Sequence, residues 1–202
     1  MVRGIMKFLL FIVLFILLAF IGWQLWYVFL INLKEPTYVV LQKKNEYEIR
    51  KYDPYLTAYI TFPGSYKTVT NKGFRALANY IFGDNKQNVS MPMTTPVFVE
   101  KEAKIDGYII TFVMPASYKK ETLPEPKDSR IKIEEKTSKK VAAYHFSWYP
   151  SARRVEQKKK AFMALLKRDG ITPRSPIILA RYNPPFVLPF LMRNELLVVI
   201  DE

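Results

Sequence analysis

Residues 8–31, FLLFIVLFILLAFIGWQLWYVFLI, form an apolar run with no charge and only Gly22 and Gln24 as interruptions. At about 1.5 Å of rise per residue, a helix over this run reaches roughly 36 Å, enough for a bilayer core of about 30 Å. Trp23, Trp26 and Tyr27 gather at its far end, where amphipathic rings favour the headgroup level. A cleavable signal peptide would have a shorter apolar core and a small-residue cleavage site, yet Ala19 is followed two places later by Ile21. The pattern predicts an uncleaved single-pass anchor over residues 1–33 and a second domain over residues 34–202. Arg3 and Lys7 precede the run, and Lys34, Lys43 and Lys44 follow it, so charge alone does not orient it. A short basic tail is hard to translocate, which places the domain on the extracytoplasmic, periplasmic side.

Beyond residue 36 no second long apolar run occurs, and alternation takes over. Residues 47–52 (YEIRKY) and 56–62 (LTAYITF) alternate with period two around the turn signal Asp53-Pro54. After the breaker Pro63-Gly64-Ser65, residues 66–82 carry Val69, Gly73, Leu77 and Tyr80/Ile81 at helical spacing, with Gly83 as the stop. Residues 91–100 (MPMTTPVFVE) and 107–115 (GYIITFVMP) predict a hairpin, and a connector with Pro124 and Pro126 follows. The pattern then restarts: IKIEEK and VAAYHFSW read as paired strands, and Ser151 caps a helix over about residues 152–168 that ends at Gly170. Ala58-Tyr59-Ile60 matches Ala143-Tyr144-His145, and residues 73–77 match 161–165, a repeat of roughly 85 residues. The predicted fold is therefore α+β: two ββαββ halves, about 38–116 and 130–202. They form a distorted antiparallel barrel flanked by two helices, preceded by one transmembrane helix.

The last stretch, residues 176–200, predicts a strand, a proline loop and a return strand. Pro184, Pro185 and Pro189 exclude helix through the middle, while Phe186, Val187, Leu188, Phe190, Leu191 and Met192 make the loop apolar. Such a loop covers a core, meets a membrane, or walls a ligand cleft. Because the chain already has an anchor, the cleft is the expected use.

Charge narrows the partners. Of the formal +13, Arg3 and Lys7 contribute two, which leaves +11 beyond residue 31 and favours anionic partners. Arg153, Arg154 and Lys158 to Lys160 put five cations in two turns of the second helix, a solvated face or one that meets anionic lipid. No groove-reading motif accompanies them, so nucleic acid is not expected. The chain has no cysteine and one histidine, His145. That excludes disulfides, thiolate metal sites, cysteine nucleophiles and a zinc site of the usual kind within one chain.

MTTPV (93–97), FVMP (112–115), the Pro124/Pro126 connector, VAAYHFS (141–147) and ARYNPPFVLPFLMRNEL (180–196), in this order, resemble the SOUL haem-binding protein family. The resemblance covers about residues 38–200. It implies a distorted α+β barrel of two like halves, and binding of haem or another tetrapyrrole rather than catalysis. Two departures fall near the expected ligand region: Trp148 stands where the family usually has glycine. Phe186 and Met192 stand where many members have tryptophan and arginine. Some members use a histidine early in the domain; this chain has none before His145.

The candidate ligand-binding set is His145, Met93, Tyr182, Arg181, Phe186, Leu188, Phe190 and Arg193. His145 is the candidate axial haem ligand, although a hydrogen-bonded structural histidine competes with that role. The repeat pairs it with Ile60, whose strand face is apolar, so it is expected to point at packed protein or a lined cleft. Met91, Met93 and Met114 are candidate thioethers and Tyr144 and Tyr182 candidate phenolates, against core roles for each. Arg181 and Arg193 bracket the proline loop, where a guanidinium can pair with a propionate. The alternative function is a sensor or adaptor that binds an amphipathic small molecule, a lipid or a protein. An enzyme is not expected, because nothing pairs carboxylates or sets a nucleophile beside a base.

Overall fold

The computed structural model describes residues 2–30 and 33–200; position 31, the last of the expected span, lies outside them. Helix α1 (Val2–Leu30) is 29 residues long, and its apolar stretch up to Phe20 is left uncovered by the rest of the protein. It has the length and composition to cross a membrane.

The domain is built on one sheet of nine strands: β1 (Tyr38–Lys43), β2 (Glu48–Tyr52), β3 (Tyr55–Pro63), β4 (Val97–Glu102), β5 (Gly107–Val113), β6 (Lys132–Lys136), β7 (Lys139–Phe146), β8 (Ile178–Arg181) and β9 (Asn194–Val199). Their order is β1-β2-β7-β9-β8-β4-β5-β3-β6, antiparallel throughout. Reading outward from the β8–β4 pair gives β9, β7, β2 on one side and β5, β3, β6 on the other. That is a pseudo-twofold relation between the halves, with β1 added at one edge.

The twofold exchanges the first strand of each half. β6 does not pair with β7, as the sequence pattern suggested, but with β3, in a register that sets Ala58 opposite Ile133. Likewise β2 pairs with β7, with Glu48 opposite Ala143. Each half thus completes the other's sheet, which ties the two together more firmly than face packing would. Strand β4 also starts later than its apolar pattern suggested, at Val97, because Pro92 and Pro96 cannot donate to a ladder.

Helices α2 (Tyr66–Ile81) and α3 (Ala152–Arg168) cover one face of the sheet. α2 buries Val69, Gly73, Leu77, Tyr80 and Ile81 at the expected spacing. A β-carbon at Gly73 would lie 2.8 Å from Ile110 Cβ, so glycine is what lets α2 approach β5 this closely. α3 is capped by the Ser151 side chain, which accepts from the Arg154 backbone N–H at 3.3 Å, and buries only Val155, Phe162 and Leu166. Phe162, wholly buried, meets Tyr47 edge-on at 5.9 Å and stacks on Tyr144 at 5.4 Å. Full burial of such a side chain contributes about 1.5–3 kcal/mol.

The opposite face lines the inside of the curl. Tyr52 on β2 and Tyr55 on β3 are six places apart in strand order, yet their rings lie 6.2 Å apart. Val113, Ala143, Ala180 and Leu197 pack with them. His145 belongs to this inner side, alternating with the helix-side residues Tyr144 and Phe146. Ile60 lies five residues before the Ser65 cap, and Phe146 five before Ser151. The structural equivalent of Ile60 is therefore Phe146. The sequence match was one residue out of step, and a one-residue slip turns every side chain to the other face.

Candidate functional site

β8 delivers Arg181 and Tyr182 to the end of the sheet, and β9 leaves again from Asn194. Between them the proline loop is held by its own backbone and by polar side chains. Tyr182 N–H donates to Arg193 O at 3.2 Å, Arg193 N–H to Asn183 Oδ1 at 2.6 Å, and Trp148 N–H to Pro189 O at 2.8 Å. Asn194 Nδ2 donates to Trp148 O at 2.9 Å. Val187 and Met192 are buried and plug the loop onto the core, while Phe186 and Phe190 remain 51% and 56% exposed. The loop also meets α1. Gln24, fully buried, accepts from Leu188 N–H at 3.0 Å, and its amide lies 3.4 Å from Phe186 O. The Phe186 ring packs on Trp23 and Tyr27 at 6.3 and 5.0 Å.

A groove of about 490 Å³ opens between α2 and the start of this loop. Met93, Val97, Phe74, Pro184 and Pro185 give it apolar walls, Thr94, Thr95, Asn71 and Tyr182 add polar edges, and Tyr27 of α1 stands at one side. Arg75 and Arg181 are its two cations, and its lining contains no carboxylate. Among the described residues neither guanidinium is held in an ion pair. The volume is within the usual range for small-molecule sites, roughly 300–1,000 Å³. Depressions of 680, 720 and 390 Å³ elsewhere each include acidic side chains in their linings. The groove thus suits an apolar ligand with two negative groups.

Of the expected site residues, Met93, Arg181 and Tyr182 meet in this groove. Phe186 packs on α1, Leu188 meets α1 through its backbone N–H, and Phe190 lies at the exposed loop tip. Arg193 is committed elsewhere. Its guanidinium lies 3.7 Å over the Tyr182 ring and pairs with Glu35 at 2.9 Å and Glu195 at 3.1 Å. Glu195, 2% exposed, also accepts from Arg50 at 2.8 and 3.2 Å and from the Tyr182 hydroxyl at 2.8 Å. Burial acts to raise the Glu195 carboxyl, but the Arg50 and Arg193 guanidiniums outweigh it and hold it below its ordinary value. Burial and the Glu195 charge push the Tyr182 hydroxyl strongly upward, so it stays a donor to Glu195 rather than a phenolate.

His145 sits outside the groove, opposite Glu195 on the β7–β9 ladder, in the 390 Å³ depression with Arg50 and Arg193. His145 is exposed rather than packed, yet desolvation by its surroundings lowers its pKa, the Glu195 charge opposes this, and the two guanidiniums add to the lowering. Met91 and Met114 are buried in the core. Phe74 and Arg75 were not expected at the site. Phe74 is 40% exposed, an apolar residue off the buried stripe of α2, and that misplacement was the available signal. Nothing local could have joined Arg50 to Glu195 across 145 positions.

The SOUL heme-binding protein family model matches residues 33–199. The chain belongs to the SOUL haem-binding family. Heme-binding protein 2 of Homo sapiens is similar at 26% identity over 168 residues, covering 77% of this chain and 78% of the human protein. Two solved structures share the fold. The EcmrR C-terminal domain is 6% identical with a TM-score of 0.58, over 77% of this chain and 98% of that one. A hydrolase from Listeria innocua is 11% identical with a TM-score of 0.54, over 80% and 94%. At such identities the likeness concerns the fold alone. Trp148, at the position where the sequence resemblance implies glycine, has φ +78°.

Proposed function

We propose that this chain is a membrane-tethered tetrapyrrole-binding protein that carries or buffers haem, without catalysing a reaction on it. The observation that carries this reading is the groove between α2 and the proline loop, apolar in its walls, with no carboxylate in its lining and two guanidiniums that form no ion pair among the described residues. Phe74, Met93, Pro184 and Pro185 offer apolar surface to a macrocycle; Arg75 and Arg181 neutralise its propionates. Met93 is the thioether within the groove, and His145 lies outside it, so the ring is held by its faces and its acid groups rather than by imidazole. When bound, the tetrapyrrole would supply the chromophore. Membership of the family and the likeness to Heme-binding protein 2 support the ligand class. The apolar α1 supports the tether, and the short basic tail with Arg3 and Lys7 ahead of it favours the periplasmic side for the domain.

Haem titration of the full chain in detergent tests it. The expected result is a saturable, red-shifted Soret band, lost stepwise in Arg75→Gln and Arg181→Gln. Each guanidinium is solvent-accessible, so each loss is about 1 kcal/mol, roughly five-fold in Kd. His145→Ala should leave the band in place. Binding no tighter than to an unrelated basic protein would end the proposal. A chain that ignores haem but co-purifies with lipid would favour the sensor or adaptor reading.

A further inference from the structure

Trp148 sits on a backbone with φ +78°, a conformation that side chains with a β-carbon rarely adopt. Burial does not compensate for this, since 51% of the residue is exposed. Beside it, Tyr149 is 49% exposed and hydrogen-bonds the loop at Pro185 O, 3.3 Å away. The loop tip adds Phe186 and Phe190, also half exposed. The Trp148 N–H to Pro189 O bond and the Tyr149 bond to Pro185 O thus hold four large, half-exposed aromatic residues side by side at this end of the domain. An aromatic patch of this kind on a protein surface marks an interaction site.

Its position says with what. The same loop is fastened to the end of α1 through Gln24, Trp23 and Tyr27. These residues close the apolar segment Gly4–Val28, so the patch continues the surface of the helix at the level where the span would leave the bilayer. The charge agrees. Arg154 lies 5.9 Å over the Trp148 ring, at the start of the basic turns of α3. Aromatic rings backed by arginines match the boundary between acyl chains and anionic headgroups.

We infer that the face made by Phe186, Phe190, Trp148 and Tyr149 is seated in the headgroup layer of the bilayer, so that the domain lies on the membrane rather than hanging from a free tether. This rests on the reading of α1 as a membrane anchor. Seated so, the proline loop brings the 490 Å³ groove, which Tyr27 borders, next to the lipid surface. An amphipathic ligand could then pass between groove and bilayer without crossing open water.

The cysteine-free chain allows single-site labelling. The full chain would be reconstituted into vesicles of phosphatidylcholine with phosphatidylglycerol as the minor lipid. An environment-sensitive fluorophore would be placed at Phe190→Cys, at Leu14→Cys within α1, or at Lys104→Cys in the β4–β5 turn at the other end of the sheet. Lipids with a quencher high on the acyl chain then read contact. Loss of emission at positions 14 and 190, with none at 104, is the expected result. Quenching at 14 but not at 190 overturns the seated face and leaves the anchor standing. No quenching at 14 removes the anchor, and this inference with it.

Discussion

Arg50→Ala should expose the electrostatic design of the sheet interior. Arg50 and Glu195 have side chains 7% and 2% exposed, on β2 and β9, and meet through two charge-assisted hydrogen bonds. Removing one partner of a buried pair costs about 3–5 kcal/mol. Arg193 and Tyr182 still hold the carboxylate, which places the loss near the low end, about 3 kcal/mol. For an m-value of about 2 kcal/mol/M the urea midpoint falls by roughly 1.5 M. The pH dependence carries the sharper test. In the native chain Glu195 has a lowered pKa, so its ionised form contributes stability above the ordinary value of 4.5, and that contribution is lost as pH falls through the folded value. Without Arg50, burial regains weight and the carboxyl protonates at higher pH. The gap between the two proteins should therefore be widest near neutrality and narrow toward pH 4. Glu195→Gln added to Arg50→Ala should recover part of the loss, because no buried charge is then left short of partners. Urea unfolding of the full chain in mild detergent, followed by near-UV circular dichroism at several pH values, measures all three. A loss under about 1 kcal/mol at neutral pH, or a gap that does not narrow in acid, would refute the reasoning.

Gly73→Ala forces a methyl to within 2.8 Å of Ile110 Cβ, so we expect a loss of about 1–3 kcal/mol by the same unfolding assay. Trp148→Gly releases a φ of +78° and should stabilise the detergent-solubilised chain by about 1 kcal/mol, visible as a raised Tm. His145 is the single histidine, so its imidazole resonance in an NMR titration is unambiguous, and its midpoint should lie below 6.5. Because that folded pKa is depressed, acidification through it should cost stability that His145→Gln does not lose.

Much of the architecture could be read from local signals. The run 8–31 announces α1 through hydropathy and length, with position 31 outside the described residues. Ser65 and Ser151 with Gly83 and Gly170 bracket α2 and α3, because caps and breakers act within one turn of chain. The hairpins β4–β5 and β8–β9 also follow from alternation around a break. Strand β1 leaves no clear signal in the sequence, because an edge strand with little buried surface carries little periodicity. Of the candidate residues, Met93, Arg181 and Tyr182 line the groove, whereas its Phe74 and Arg75 lie on a helix that reads as ordinary amphipathic structure.

The sequence alone determined the element types, the two-half plan and the family, because these depend on periodicity, breakers and motif order. Only the tertiary structure decided the partners. Thr137 and Ser138 separate β6 from β7 like a hairpin turn, yet β6 completes the other half, since strand choice depends on which pairing buries both faces of a curled sheet. The face of His145 turned on a one-residue offset that local matching could not resolve. The ion pair of Arg50 with Glu195, and the seat of the proline loop on Gln24, join residues 145 and 164 positions apart. Such contacts are made by chain closure in three dimensions, and no local pattern encodes them.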